Sequence, residues 1–236
     1  MTGPWILMYH AVEPYEEDPN LVCVSPERFR QQMAWLAARG LRGSSMSELR
    51  RGLDSGAAHE MVGLTFDDGY AGFPEHVVPV LARYGFSATL FAVADRLGGY
   101  NDWDEGPRRA LLTPREIADV SRGGVEVGSH GLSHVRLTEL ASNEMIEEVT
   151  RSRAMLEGLV GKAIEGFAYP HGAVDAATLA AVRGAGYRYA CAVSPPGQDD
   201  GFLLPRAFIG EQDGPFRLRA KLTAHRLHPR RGSILI

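Results

Sequence analysis

Val62-Gly63-Leu64-Thr65-Phe66-Asp67-Asp68-Gly69 is a β-rich run that stops abruptly in two carboxylates and a glycine. A short apolar run closed by a turn signal reads as a buried strand. Working outward, similar runs occur at Ile6–Tyr9, Ala88–Val93, Val125–Gly128, Gly166–Tyr169, Tyr189–Val193 and Ala207–Ile209. Helical stretches separate them. Ser25-Pro26 supplies an N-cap and a proline at the first helical position, and Phe29, Met33 and Leu36 then form one apolar stripe that stops at Gly40. A second helix is expected from the Asp68–Gly69 turn to Gly85, with Val77, Val80, Leu81 and Tyr84 inward. The longest spans about Leu140 to Val160, with Met145, Val149, Ser152 and Leu156 on one side. Strand and helix in alternation imply parallel strands with crossover helices, and about seven strands approach a barrel. The expectation is an α/β fold, one domain over residues 1–236, with its chemistry at the C-terminal ends of the strands.

Apolar residues make up 44% of the 236 and charged residues 23%, which excludes a disordered chain, a collagen-like fibre and a disulfide-stapled miniprotein. The net charge of −4 argues against a nucleic-acid-coating polycation, so no nucleic-acid partner is expected. Phe216–Ile236 differs from this average, carrying Arg217, Arg219, Lys221, Arg226, Arg230 and Arg231 and no acid. It reads as a solvated helix face, with peripheral contact to an anionic substrate or lipid surface as the alternative. Cys23 and Cys191 lie among apolar neighbours and read as buried free thiols. No apolar run reaches the roughly 18 residues of a membrane span, and the opening residues lack a basic leader region. A cytoplasmic location is therefore expected.

Four strands deliver polar clusters: His10; Asp67-Asp68-Gly69; His130 with His134 four residues on; and Pro170-His171-Gly172. In a parallel barrel these meet on one rim. His130 and His134 have the spacing that stacks two imidazoles on one side of a helical turn, and two imidazoles with a carboxylate bind zinc or a related divalent ion. Alone, such a pair is more often two surface histidines in a Ser/Gly-rich loop. Adjacent aspartates leave a strand end in different directions, so one can ligate a metal while the other acts as a base. An Asp-Gly turn needs only one of them. A lone His10 reads as a core histidine. His59, His76, His225 and His228 read as structural or solvated residues without partners, and Glu13, Glu16, Glu17 and Asp18 as a solvated loop over the rim.

Leu64-Thr-Phe-Asp-Asp-Gly-Tyr70, Ser129-His-Gly-Leu-Ser-His134 and Phe167-Ala-Tyr-Pro-His-Gly172, in that order, resemble the motifs of the polysaccharide deacetylase family, also called NodB-homology or carbohydrate esterase family 4. The resemblance extends to residues 27–40 and to the opening Leu7-Met8-Tyr9-His10-Ala11-Val12. It implies a distorted (β/α) barrel, Asp68, His130 and His134 as ligands of one divalent ion (zinc first; cobalt, nickel or manganese as alternatives), and Asp67 as catalytic base. The family's closing strand, which carries the acid histidine, resembles Ile6–His10 moved to the front. That order resembles the circularly permuted branch containing poly-N-acetylglucosamine deacetylases and implies His10 as the general acid. The third motif implies an oxyanion-holding backbone N–H at His171, with Tyr169 and Pro170 beside the substrate. Two positions depart from the pattern: Ala168 stands where the family has an arginine that orients the base, and His171 where it has tyrosine. Arg206, in Leu204-Pro205-Arg206, is the candidate replacement for that arginine.

The function implied is metal-assisted removal of an N-acetyl group from an amino sugar, whether glycan, lipid-linked or small glycosylated molecule. The alternatives are a deformylase of an N-formyl amino sugar and a glycan-binding relative without turnover. A two-metal phosphodiesterase would call for more carboxylates or histidines than this single set provides.

Overall fold

The computed structural model describes residues 3–193 and 201–227. Its strands are β1 (Trp5–Tyr9), β2 (Ala11–Val12), β3 (Cys23–Val24), β4 (Arg42–Ser44), β5 (Met61–Phe66), β6 (Thr89–Ala92), β7 (Glu126–Ser129), β8 (Gly166–Ala168), β9 (Tyr189–Ala192), β10 (Leu204–Pro205) and β11 (Ala207–Phe208). Its helices are α1 (Pro26–Ala37), α2 (Met46–Ser55), α3 (Val78–Tyr84), α4 (Pro114–Arg122), α5 (Ser142–Val160), α6 (Ala176–Gly184) and α7 (Pro215–Leu227). Nine strands form one sheet in the order β10-β9-β8-β7-β6-β5-β1-β11, with β4 beside the first half of β5, and every pairing in it is parallel. β10 and β11 are a single stretch interrupted only at Arg206: Leu204 and Pro205 pair with β9, while Ala207 and Phe208 pair with β1. The chain thus steps from one edge of the sheet to the other and brings it nearly to closure as a barrel.

All seven expected strands are present. β4 and β10 add to them in this sheet, and β2 and β3 pair as a separate parallel ribbon; each of the four is two or three residues long and too short to show an alternating pattern. Inside the barrel, Ile6, Met46, Leu49, Phe91, Tyr189 and Leu204 pack together. A Cβ on Gly128 would lie 2.5 Å from the Phe91 ring, and one on Gly166 2.2 Å from Tyr189, so both strands need glycine to admit the rings that fill the lumen. The floor is closed by the start of α2, whose orphan amides find side-chain acceptors: Met46 N–H donates to Thr89 Oγ1 (2.8 Å) and Ser47 N–H to Glu126 Oε2 (2.8 Å). Polar chemistry is left to the opposite end.

The outer core lies between the sheet and the helices. Ser25 caps α1, with Pro26 at its first position, and Phe29, Met33 and Leu36 are buried. Burying each such side chain contributes about 1.5–3 kcal/mol, which docks the helix. α5 buries Met145, Val149, Ser152 and Leu156, and ends before Gly161 in the left-handed region (φ 67°). The helix expected after Gly69 differs: a wide π turn, Phe73–Val77, leads into α3. Pro79 has no N–H to donate to Glu75, so an uninterrupted α-helical ladder cannot run through it. The basic C-terminal segment also needs correction. Lys221 on α7 is buried and donates to Asp213 (2.8 Å) and to the Phe208 carbonyl (2.6 Å), tying α7 to the end of β11. His225 is partnered too, by the Gly3 carbonyl (3.0 Å) and the Trp5 ring (6.3 Å). His228, Arg230, Arg231 and Ser233–Ile236 lie outside the described residues. Cys23 and Cys191 are both buried and are not joined in a disulfide, and none of the described helices is long and apolar enough to cross a membrane.

Candidate active site

His10 follows β1, Asp67 and Asp68 follow β5, His130 follows β7 and His171 follows β8; all border one cavity of about 130 Å³ at the C-terminal mouth of the barrel. His134 and Arg206 border it too. Backbone strain gathers there. Asp68 (φ 70°), His134 (φ 64°) and His171 (φ 56°) are three of the four non-glycine residues with positive φ among the described residues. Each costs about 1–3 kcal/mol, offset by packing around it, and strain of this kind concentrates where side-chain direction serves function.

Asp68 Oδ1 lies 3.4 Å from His130 Nε2 and 3.3 Å from His134 Nε2, and all three residues are buried. That oxygen has no hydrogen-bond partner among the described residues. Donors about 2.1 Å from a tetrahedral centre stand roughly 3.4 Å apart, so the trio fits one divalent ion and leaves a coordination position for a further ligand. His130 Nδ1 donates to the Ala168 carbonyl at 2.9 Å, which leaves the Nε2 lone pair facing Asp68. Burial pushes the His130 pKa down to about 4, so the ring is neutral at pH 7. Burial acts to raise the Asp68 pKa, but the imidazoles around it hold the carboxylate well below its usual range.

Asp67 is gripped from the other side. Arg206 reaches it from the barrel seam with two hydrogen bonds, Nη1 to Oδ1 at 2.6 Å and Nη2 to Oδ2 at 2.7 Å, and bonds Thr65 Oγ1 at 3.1 Å. Both partners are almost wholly buried. Burial acts to raise the Asp67 pKa, and the Arg206 charge, helped by His130, outweighs it and holds the group ionised. The guanidinium therefore stands against the carboxylate that the Ala168 position would otherwise leave without one. His10 is half-buried on the same cavity, its ring 6.1 Å from Phe208 and its Nδ1 without a partner among the described residues. His171 borders the cavity and donates from Nε2 to the His134 carbonyl (3.1 Å). Tyr169 also lines the cavity, with its hydroxyl donating to the Phe202 carbonyl (3.1 Å). Pro170 alone of the expected residues stands apart, buried against Gly131 rather than lining the cavity.

Other contributors escape sequence reading. Glu148, buried on α5, accepts from the Leu132 N–H (2.8 Å), the Ser133 N–H (3.1 Å) and the Ser133 hydroxyl, and so shapes the loop between the two histidines. A carboxylate inside the Met145–Val149–Ser152 stripe is the signal that could have revealed it. Trp103 and Asp104, from the loop after β6, form part of the cavity wall. The rim loop is only partly solvated: Glu13 pairs with Arg109 (2.8 Å), and Asp18 accepts from the Val22 and Cys23 amides.

Comparisons with known proteins agree with this architecture. YxkH of Bacillus subtilis (strain 168), whose name points to polysaccharide deacetylation, is 26% identical over 192 residues, 80% of this chain and 64% of YxkH. The poly-beta-1,6-N-acetyl-D-glucosamine N-deacetylase of Escherichia coli (strain K12) is 29% identical over 134 residues, 52% of this chain and 20% of that protein. This chain thus spans less than two thirds of either relative. The Streptococcus pyogenes deacetylase PplD, solved in complex with acetate, superposes with a TM-score of 0.79 over 92% of this chain and 96% of its own, at 23% identity, and shares the fold. The polysaccharide deacetylase family model matches residues 54–190, more than half the chain, including the Asp-Asp-Gly turn and both metal-facing histidines. The chain belongs to the polysaccharide deacetylase family.

Proposed function

We propose that this chain is a metal-dependent hydrolase that removes the N-acetyl group from an amino-sugar-containing substrate. One observation carries the reading: a carboxylate held ionised by a buried arginine lies beside an Asp-His-His donor set in one cavity, with His10 on the same wall. A divalent ion held by Asp68, His130 and His134, zinc first with cobalt, nickel or manganese as alternatives, supplies Lewis acidity toward the amide carbonyl and the attacking water. Asp67 accepts the proton of that water as its oxygen bonds to the acyl carbon. The paired arginine makes Asp67 a weak base but fixes both of its oxygens, so its contribution is direction more than basicity. The backbone N–H of His171, a residue on the cavity wall, is the group assigned to the developing oxyanion. His10 protonates the departing nitrogen, the C–N bond breaks, and acetate and a free amine result.

The cavity of about 130 Å³ suits the acyl end of the substrate, with the sugar held at the rim. The name of the Escherichia coli relative puts a polymer of N-acetylglucosamine first among substrates, ahead of lipid-linked or small glycosylated molecules. The test is acetate and formate release from N-acetyl and N-formyl amino sugars, monomeric and oligomeric, by chelator-stripped protein reloaded with each metal. Metal-dependent acetate release is expected. Asp67→Asn should lose about 10²–10⁴-fold in rate with metal content intact. His134→Ala should lose metal and rate together. Equal rates in wild type and Asp67→Asn would overturn the assignment.

A further inference from the structure

The two histidines of the donor set are held in different ways. His130 follows the usual pattern of a metal-facing imidazole, its second nitrogen donating to a backbone carbonyl. His134 lacks this: its Nδ1 is buried and finds no hydrogen-bond partner among the described residues. Its backbone is in the left-handed region, where little intrinsic preference holds the residue. An imidazole in that position can rotate about its Cβ–Cγ bond and withdraw Nε2 from Asp68.

Aromatic packing replaces the missing hydrogen bond. The Trp103 indole stacks on the His134 ring with centroids 4.2 Å apart and planes 28° from parallel. The His171 ring meets it edge-on at 4.6 Å and 62°, and its Nε2 also donates to the His134 carbonyl. Trp103 Nε1 has no partner among the described residues, so the indole offers its face rather than its N–H. Trp103 is also held firmly. Asn101 and Arg109 pair across the base of its loop (3.1 Å and 2.6 Å), Leu112 N–H donates to the Gly69 carbonyl (2.8 Å), and the Arg109 guanidinium is bonded to Glu13 and the Glu17 carbonyl. The loop that carries the stacking ring is thereby tied, through Leu112, to the Asp-Asp-Gly turn that supplies Asp68.

We propose that Trp103 and His171 are positioning residues, a two-sided aromatic clamp that holds His134 in its metal-ligating orientation. The proposal rests on the metal-site reading above. It gives a role to the histidine that departs from the family's tyrosine and to a tryptophan outside the matched motifs.

The experiment measures Co²⁺ affinity of the stripped protein by chelator competition, with the Co²⁺ visible absorption spectrum reporting coordination geometry. Loss of a group that orients a metal ligand typically weakens binding 10–100-fold, so Trp103→Ala and His171→Ala should each bind Co²⁺ at least about 10-fold more weakly and with an altered spectrum. Trp103→Phe keeps a stacking face and should stay within about threefold of wild type. Thermal midpoints of the metal-free variants identify any that fail to fold, and Trp103→Phe keeps the test usable in that event. Wild-type affinity and spectrum in Trp103→Ala, or Trp103→Phe as weak as Trp103→Ala, would overturn the clamp alone. Wild-type protein that binds no Co²⁺ would overturn the clamp and the metal-site reading together.

Discussion

Truncating Arg206 would strand the Asp67 carboxylate in the barrel lumen, where both partners are almost wholly buried and each carboxylate oxygen accepts one hydrogen bond from the guanidinium. Removing one partner of a buried ion pair costs about 3–5 kcal/mol, because the remaining charge keeps its desolvation penalty and loses its compensation. Arg206→Ala should therefore lose about that much stability in urea unfolding at pH 7. Arg206→Lys keeps the charge but cannot span both oxygens, so it should fall between the two. Equal stability of Arg206→Ala and wild type would show that the pair is not the buried pair described here. The source of the guanidinium was only half legible from sequence. Ala168 announces that the family's arginine is missing, and Arg206 is an arginine beside a strand. That it lands on Asp67 depends on the seam, where residue 206 is the single residue between pairing to β9 and pairing to β1.

α5 shows how an element positions a site that it does not enter. Its apolar stripe docks it to the sheet, and within that stripe Glu148 receives two backbone amides and a hydroxyl from the loop that ends in His134. Glu148→Ala leaves those buried donors unpaired, at about 1–3 kcal/mol, and frees the loop. Hydrogen exchange should accelerate at Leu132 and Ser133 in Glu148→Ala and much less in Glu148→Gln, which keeps one acceptor oxygen. Unchanged exchange at both amides would count against this role. Elements with a strong period were readable in advance: α1 from its Ser-Pro start and Phe29–Met33–Leu36 stripe, α5 from its stripe, and the long strands from their apolar runs. What was hidden is tertiary. β4 and β10 are strands because a neighbour pairs with them, the break before α3 comes from Pro79, and Lys221 is buried because Asp213 waits for it. Trp103 carries no local signal at all, since its place is set by a loop bonded to the Asp-Asp-Gly turn.

Across the whole molecule, the lumen divides into an apolar lower half and an ionisable upper half, and that division sets how stability follows pH. Burial holds His130 at about 4 in the folded chain against 6.5 when unfolded. Well above pH 6.5 the ring is neutral in both states and has no effect. As pH falls from 6.5 toward 4, the unfolded chain takes up a proton that the folded chain refuses, so stability declines across that window. His171 and His225, also lowered by burial, act in the same direction. Below 3.8 the unfolded aspartates protonate while Asp67 and Asp68 stay ionised in the fold, so the decline continues as pH falls toward their lowered values. Urea midpoints of metal-free protein should therefore fall steadily from pH 7 to pH 4. His130→Gln should give a shallower slope between 6.5 and 4 and leave the acid limb below 3.8 in place. A bound divalent ion competes with protons for the same nitrogens, so metal should add most stability at pH 7 and progressively less toward pH 5. A His130→Gln slope equal to that of wild type would mean that His130 is not the buried neutral ring on which the donor set depends.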